Sequence, residues 1–242
     1  MVNDLVTKKD AVQFRQKYGI SSTEPIRLKS FLQALKVMTL FRPLRDNISG
    51  MSLMINDYRF MIVNSENTLG KQHFTICHEL YHLFIQDSFD SMICKTGLFD
   101  KKNKLEYTAD MFAANLLLPD EGIITLVPDT EFKKNHISLS TIVRIEQYYS
   151  SSRMALLIKL EQMGLIDLKS YEKYCHKVIL SAVQLGYDTS LYKKGNEGKT
   201  IGDYGEKAKK IWDSGKISES NYISLLQDIG IDVEERQEDN GK

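Results

Sequence analysis

His73-Phe-Thr-Ile-Cys-His-Glu-Leu-Tyr-His-Leu-Phe-Ile85 is the stretch on which the reading of this chain turns. Within it, His78-Glu79-Leu80-Tyr81-His82 has the form H-E-x-x-H. Phe74, Cys77, Tyr81 and Phe84 or Ile85 recur at helical spacing, which predicts a helix from about Lys71 with these side chains on its buried flank. Side chains four apart on a helix stand one above the other. His78 and His82 can therefore reach one point, with Glu79 beside them. Two imidazoles and a carboxylate around an open position make a hydrolytic metal site, with Zn2+ as the ion. The bland alternative is a chance histidine pair on a core helix, and Glu79 between them argues against it. Cys77 reads as a small core residue, and His73 as a surface or first-turn residue.

Upstream, residues 4–18 carry Leu5, Val12, Phe14 and Tyr18 among polar residues, and Gly19 offers a stop, which predicts an amphipathic helix. After the break Ser21-Ser-Thr-Glu-Pro25, Ile26, Leu28, Phe31, Leu32 and Leu35 predict a second helix ending near Leu35. Val37-Met-Thr-Leu-Phe41, Met51-Ser-Leu-Met-Ile55 and Tyr58-Arg-Phe-Met-Ile-Val63 read as strands, the last two joined by Asn56-Asp57, a pair suited to a tight hairpin turn. The expectation is a small three-stranded antiparallel sheet packed on the helix that carries the motif. Residues 86–103 read as irregular, and a loop of that length is often functional; here it is expected to overhang a cleft.

A third ligand should come from a second helix packed beside the first. Lys104-Leu-Glu-Tyr-Thr-Ala-Asp-Met-Phe-Ala-Ala-Asn-Leu-Leu-Leu118 predicts such a helix, ended by Pro119. Glu106 and Asp110 lie four apart on one face, while Ala109 and Ala113 allow a close approach. Glu106 is the expected ligand. Asp110 is expected to accept a hydrogen bond from the far nitrogen of a ligand histidine, which fixes its tautomer. Asp110 as the ligand itself is the main alternative, ahead of Asp87, Asp90, Asp100 and Glu121. A solvated acidic face is the bland reading of the pair.

Phe74-Thr-Ile-Cys-His-Glu-Leu-Tyr-His82 and Glu106-Tyr-Thr-Ala-Asp-Met-Phe-Ala-Ala-Asn-Leu-Leu-Leu-Pro119 together resemble the ImmA/IrrE family of zinc metallopeptidases, over roughly residues 37–166. The resemblance implies a gluzincin-like peptidase unit with a small sheet against two active-site helices. It also implies cleavage of an intracellular regulator, typically a helix-turn-helix repressor of a phage or mobile element. Tyr81 stands where the family often has Gly, and Leu118 where many members have Met; neither is an expected ligand. His78, His82 and Glu106 would hold zinc, and Glu79 would serve as general base. The alternative is a non-catalytic regulatory protein on the same fold that binds and sequesters a repressor.

Farther on, Ser140-Thr-Ile-Val-Arg-Ile-Glu-Gln-Tyr-Tyr149, Ser150-Ser-Ser152 and residues 153–164 read as helix, turn, helix. Only Arg153 and Lys159 are basic on the second of these helices, so packing or protein contact is expected there rather than DNA binding. His136 could swing over the cleft and steady a tetrahedral intermediate; an ordinary loop histidine is the competing reading. Residues 170–185 predict one amphipathic helix, and Cys175-His176 lacks a partner pair at zinc-finger spacing. Gly198-Lys199-Thr200 resembles the end of a phosphate loop, but Lys193 occupies the position where that loop needs glycine. Residues 203–212 and 218–227 predict two short helices, and the acidic tail from Asp232 is expected to fray. The resulting division is a zincin-like unit over 1–125 including the N-terminal helices, a helix-turn-helix-like segment over 126–168, and a C-terminal helical module over 169–242.

Bulk properties agree with that reading. Of 242 residues, 42% are hydrophobic and 26% charged, as in globular proteins generally. Lys plus Arg and Asp plus Glu each number 32, so no net field attracts nucleic acid or a membrane. Three scattered cysteines suit a reducing compartment. The first ten residues lack the apolar core of a signal peptide, and no apolar run approaches the ~20 residues of a spanning helix. The expectation is a cytoplasmic, mostly helical α+β protein with a protein substrate and no direct nucleic-acid or membrane partner. The sequence leaves the oligomeric state open.

Overall fold

The computed structural model describes residues 2–45, 47–87, 89, 91–97, 99–132 and 137–231. The chain runs through α1 (Val2–Lys17), α2 (Leu28–Ala34), β1 (Val37–Arg42), β2 (Gly50–Ile55), β3 (Tyr58–Asn64), α3 (Leu69–Phe84), β4 (Ser91–Cys94) and α4 (Lys104–Leu117). It continues with α5 (Asp120–Leu126), α6 (Asp129–Phe132), α7 (Leu139–Tyr149), α8 (Arg153–Gln162), α9 (Leu168–Tyr174) and α10 (Val178–Gln184). Then come a short 3-10 turn (Ser190–Tyr192), β5 (Thr200–Ile201), α11 (Tyr204–Asp213) and α12 (Glu219–Asp228). The expectation of a frayed tail falls outside the described residues.

Local caps set the helix starts around the motif, because a side-chain oxygen satisfies an amide the helix cannot. Thr68 accepts from the Lys71 amide at the head of α3, and Asn103 accepts from the Glu106 amide at the head of α4. Pro119 follows α4 and stops it. The cap of α4 matters for chemistry, since it places Glu106 in the first turn.

The sheet is wider than expected, and mixed rather than antiparallel, with order β4-β2-β3-β1-β5. β2 and β3 form the expected hairpin, turned at Asn56 with φ of 52°. β1 instead lies parallel to β3, Val37 opposite Arg59 and Arg42 opposite Asn64. Burial alternates along β1 through Val37, Thr39 and Phe41, so its sequence states which face points inward but not which neighbour it takes. The crossover from β1 to β2 is tied by Asn64, whose side chain accepts the Leu44 amide at 3.1 Å and donates to the Ile48 carbonyl at 2.7 Å. Two further strands complete the edges: β4 pairs antiparallel with β2, and β5 with β1. Both are too short to carry a period of their own.

α3 lies across the sheet and packs against α4, whose Ala109 and Ala113 are fully buried. α1 covers α4, with Phe14 edge-on to Phe112 at 5.7 Å. The predicted face of α1 is inward only in part: Phe14 is buried with Ala11 and Thr7, and Tyr18 packs on the core, while Leu5 is 72% and Val12 43% exposed. Arg15 is also buried and donates to the carbonyls of Ser21, Glu24 and Leu116, which ties the 21–25 break to the end of α4. The glycine-rich 195–205 segment lies along β1 and α3. It supplies β5 and is pinned to α3 by Gln72, which donates to the Gly195 carbonyl at 2.9 Å. The single helix expected over 170–185 is two, α9 and α10, broken at Lys177 with φ of 52°.

Candidate metal centre

His78, Glu79 and His82 are all fully buried on the face of α3 between the sheet and α4. The two Nε2 atoms of His78 and His82 lie 3.2 Å apart. Glu106 reaches over from α4, its Oε2 at 3.4 Å from His78 Nε2 and its Oε1 at 3.4 Å from His82 Nε2. Cys94, at the end of β4, brings its Sγ to 3.8 Å from Glu106 Oε1. One donor atom from each of these four residues lies within 4.8 Å of the others. Nitrogen and oxygen ligands at ~2.0–2.2 Å from a tetrahedral ion are themselves roughly 3.3–3.6 Å apart. The separations among His78, His82 and Glu106, 3.2 to 3.4 Å, lie at or just below that range, so this donor set can hold a divalent metal.

The far sides of both imidazoles are also tied. His78 Nδ1 donates to Asp110 Oδ1 at 2.8 Å, and Asp110 also accepts the Gly97 and Phe99 amides at 2.8 Å each. Both Asp110 oxygens are thus engaged away from the Nε2 pair, and Glu106 is the carboxylate that faces it. His82 Nδ1 donates to Gln86 Oε1 at 2.6 Å, and its ring stacks on Phe89 at 5.8 Å between centroids. The 86–103 stretch, read as irregular, holds β4. It delivers Gln86, Phe89, Cys94 and the two amides that hold Asp110.

Glu79 accepts a hydrogen bond from Ser52 Oγ of β2 at 2.7 Å, while its Oε1 is buried without a hydrogen-bond partner. Burial pushes the Glu79 pKa up, against the pull of His78 and Ser52. That suits a group that must take a proton. Gly50 makes room for it: a Cβ there would meet Thr75 Cγ2 at 2.6 Å and Glu79 Oε1 at 2.7 Å. Gly50→Ala is expected to destabilise the fold by about 1–3 kcal/mol through overpacking. Urea unfolding measures this, and an unchanged midpoint would contradict the contact.

Burial pulls the His78 pKa down, but hydrogen bonds to Asp110 and Glu106 outweigh it and raise the value to about 9. For Glu106, burial pushes up, and hydrogen bonds from His78 and His82 outweigh it, leaving about 2. With a folded pKa above neutrality, His78 in the metal-free protein carries its extra proton at pH 7, and a metal must displace it. Metal uptake at neutral pH is therefore expected to release about one proton from His78, and affinity should climb with pH until it levels near pH 9. Calorimetry in buffers of different ionisation enthalpy reads the released proton directly. No proton release would show that His78 is already neutral.

A cavity of about 310 Å³ adjoins the cluster on the side of Glu106 and Asp110, lined also by Met92, Ile93, Lys95 and Asn103. β4 borders it as an edge strand, paired on one side only.

The family model described as the IrrE N-terminal-like domain, Peptidase M78, matches residues 32–161. The chain belongs to the ImmA/IrrE peptidase family. The matched span holds His78, Glu79, His82, Cys94, Glu106 and Asp110, so every group described above lies within the family's own domain. No curated protein sequence matches the chain. Membership makes this a chain of a metallopeptidase family with a donor cluster able to bind metal.

The other residues singled out in the sequence fall as follows. His136 lies outside the described residues. Tyr81 is half-buried and packs against Phe112 and His82, each at 5.6 Å. Cys77 sits in the apolar core. His73 is tied down, its Nδ1 donating to the Ser150 carbonyl at 2.8 Å. Arg153 and Lys159 are each 3% exposed: Arg153 pairs with Glu146, and Lys159 with Asp120 and Asn115. Neither is presented to a phosphate backbone. Among the described residues, no helix is long and apolar enough to cross a membrane.

Proposed function

We propose that this chain is a cytoplasmic zinc endopeptidase that cleaves a regulatory protein, namely a helix-turn-helix repressor of a phage or mobile element. The observation that carries the peptidase reading is the convergence of His78, His82 and Glu106 with a buried Glu79 alongside. The choice of repressor rests on the family resemblance. His78, His82 and Glu106 are assigned as the residues that hold zinc, with Asp110 and Gln86 orienting the two imidazoles through Nδ1. When bound, zinc supplies Lewis acidity, polarising a carbonyl and acidifying water.

Glu79 is assigned the proton work. Its raised pKa favours accepting a proton from the attacking water, and the same carboxyl then hands it to the leaving amine. Ser52 holds Oε2 in place, and Oε1, packed beside Gly50, has no hydrogen-bond partner of its own. The free edge of β4 supports docking of an extended peptide, since unpaired backbone groups there offer ladder hydrogen bonds beside Glu106. In this reading residues 1–125 form the peptidase unit, 126–168 close it, and 169–242 form a C-terminal module.

Incubating the purified protein with a repressor from the same genome, with and without chelator, tests the proposal. A fragment formed only without chelator supports it. A stable complex that is never cut supports a binding protein on the same fold, a reading favoured by Cys94 standing beside Glu79.

A further inference from the structure

We propose that Cys94 is a metal ligand in this chain, its sulfur filling the position beside Glu106 that a reacting water would need. The inference rests on the metal centre assigned above and adds a fourth protein donor to it. Cys94 is fully buried, yet it is not part of the apolar core that holds Cys77. Its Sγ instead faces two carboxylates, Glu79 Oε2 at 3.6 Å and Glu106 Oε1 at 3.8 Å. As a thiol Cys94 donates to these two carboxylates, and with a metal bound between His78, His82 and Glu106 the same placement makes its sulfur a ligand. A thiolate at ~2.3 Å and an oxygen at ~2.1 Å on one tetrahedral ion stand roughly 3.6 Å apart, close to the Cys94–Glu106 separation.

The backbone fixes this placement. Cys94 pairs with Gly50 across β2 and β4, and its carbonyl accepts the Ser49 amide at 2.9 Å. The strand therefore turns the sulfur toward α3. On coordination the thiol loses its proton and forms a sulfur–metal bond. Glu79 Oε2, at 3.6 Å, is the acceptor within reach of that proton.

Two consequences follow from a donor set of two nitrogens, one oxygen and one sulfur. The soft thiolate selects zinc-like ions over magnesium or calcium. A metal held by four protein donors also has the closed form of a structural site, so peptide entry requires Cys94 to leave. β4 is short and paired on one side only, and it is the element that can yield.

The test is cobalt substitution in the full chain, comparing the unaltered protein with Cys94→Ser and Cys77→Ala. A thiolate-to-cobalt charge-transfer band is expected in the unaltered protein and in Cys77→Ala, and absent in Cys94→Ser. Cobalt affinity of Cys94→Ser should fall roughly 10–100-fold, the range for groups that support a metal. If the unaltered protein binds cobalt without the band and Cys94→Ser binds it equally well, Cys94 is no ligand while the metal centre stands. If the unaltered protein binds no cobalt, the centre itself fails and this inference with it. The band in the unaltered protein needs no variant, so misfolding of Cys94→Ser leaves the test intact.

Discussion

Glu79→Gln is expected to keep its metal and to cleave roughly 10²–10⁴-fold more slowly, the usual worth of a positioned acid-base group. Glutamine has the size of glutamate, so it still fits against Gly50, and its carbonyl oxygen can still accept from Ser52. What it loses is the ability to take a proton. The stability of the variant should hold or rise, because burial already opposes the charged form of Glu79. Single-turnover cleavage beside metal analysis of the same preparation separates the two effects. A variant with full activity would remove Glu79 from the chemistry, and one without metal would recast it as part of the binding site.

Arg153→Met is expected to cost about 3–5 kcal/mol, the effect of leaving a buried charge without its partner. Arg153 makes two bonds to Glu146, at 2.5 and 2.7 Å, and donates to the Tyr174 carbonyl and to Ser181 Oγ at 3.0 Å each. Tyr192 adds a third bond to Glu146 at 2.6 Å. One guanidinium thus joins α7, α8, α9 and α10, and Glu146 ties the 3-10 turn to them. The loss comes mostly from stranding Glu146, so adding Glu146→Gln should recover part of it. Denaturant unfolding of the two single variants and the double variant checks this. A drop under 1 kcal/mol for Arg153→Met would show that water reaches the pair.

The convergence of His78, His82 and Glu106 was legible because its parts are local. His78, Glu79 and His82 sit within five residues of one helix, and Glu106 and Asp110 sit one turn apart on another. Helical spacing alone gives each pair a common face. Residues that enter from the sheet were not legible. Ser52 and Gly50 matter only because β2 runs under α3, and Cys94 only because Ser91-Met-Ile-Cys94 finds the free edge of β2. A four-residue stretch in a polar loop carries too little periodicity to announce a strand. The same holds for Thr200-Ile201, which becomes β5 through an edge contributed by distant β1.

Other differences have particular causes. The burial of Arg153 and Lys159 was not legible, since a helical wheel cannot show that Glu146 and Asp120 meet them. The break at Lys177 has no glycine or proline to signal it. In α1 the apolar residues are divided between two faces, and Phe14 with Ala11 won the interior over Leu5.

The most direct test of the account is the zinc content of the purified protein and of His82→Ala and Glu106→Ala, measured by mass spectrometry after removal of loosely held metal. One tightly bound zinc is expected in the unaltered chain and none in either variant, each remaining folded by circular dichroism. A chain that purifies without zinc and takes none up, or variants that keep the metal, would contradict it.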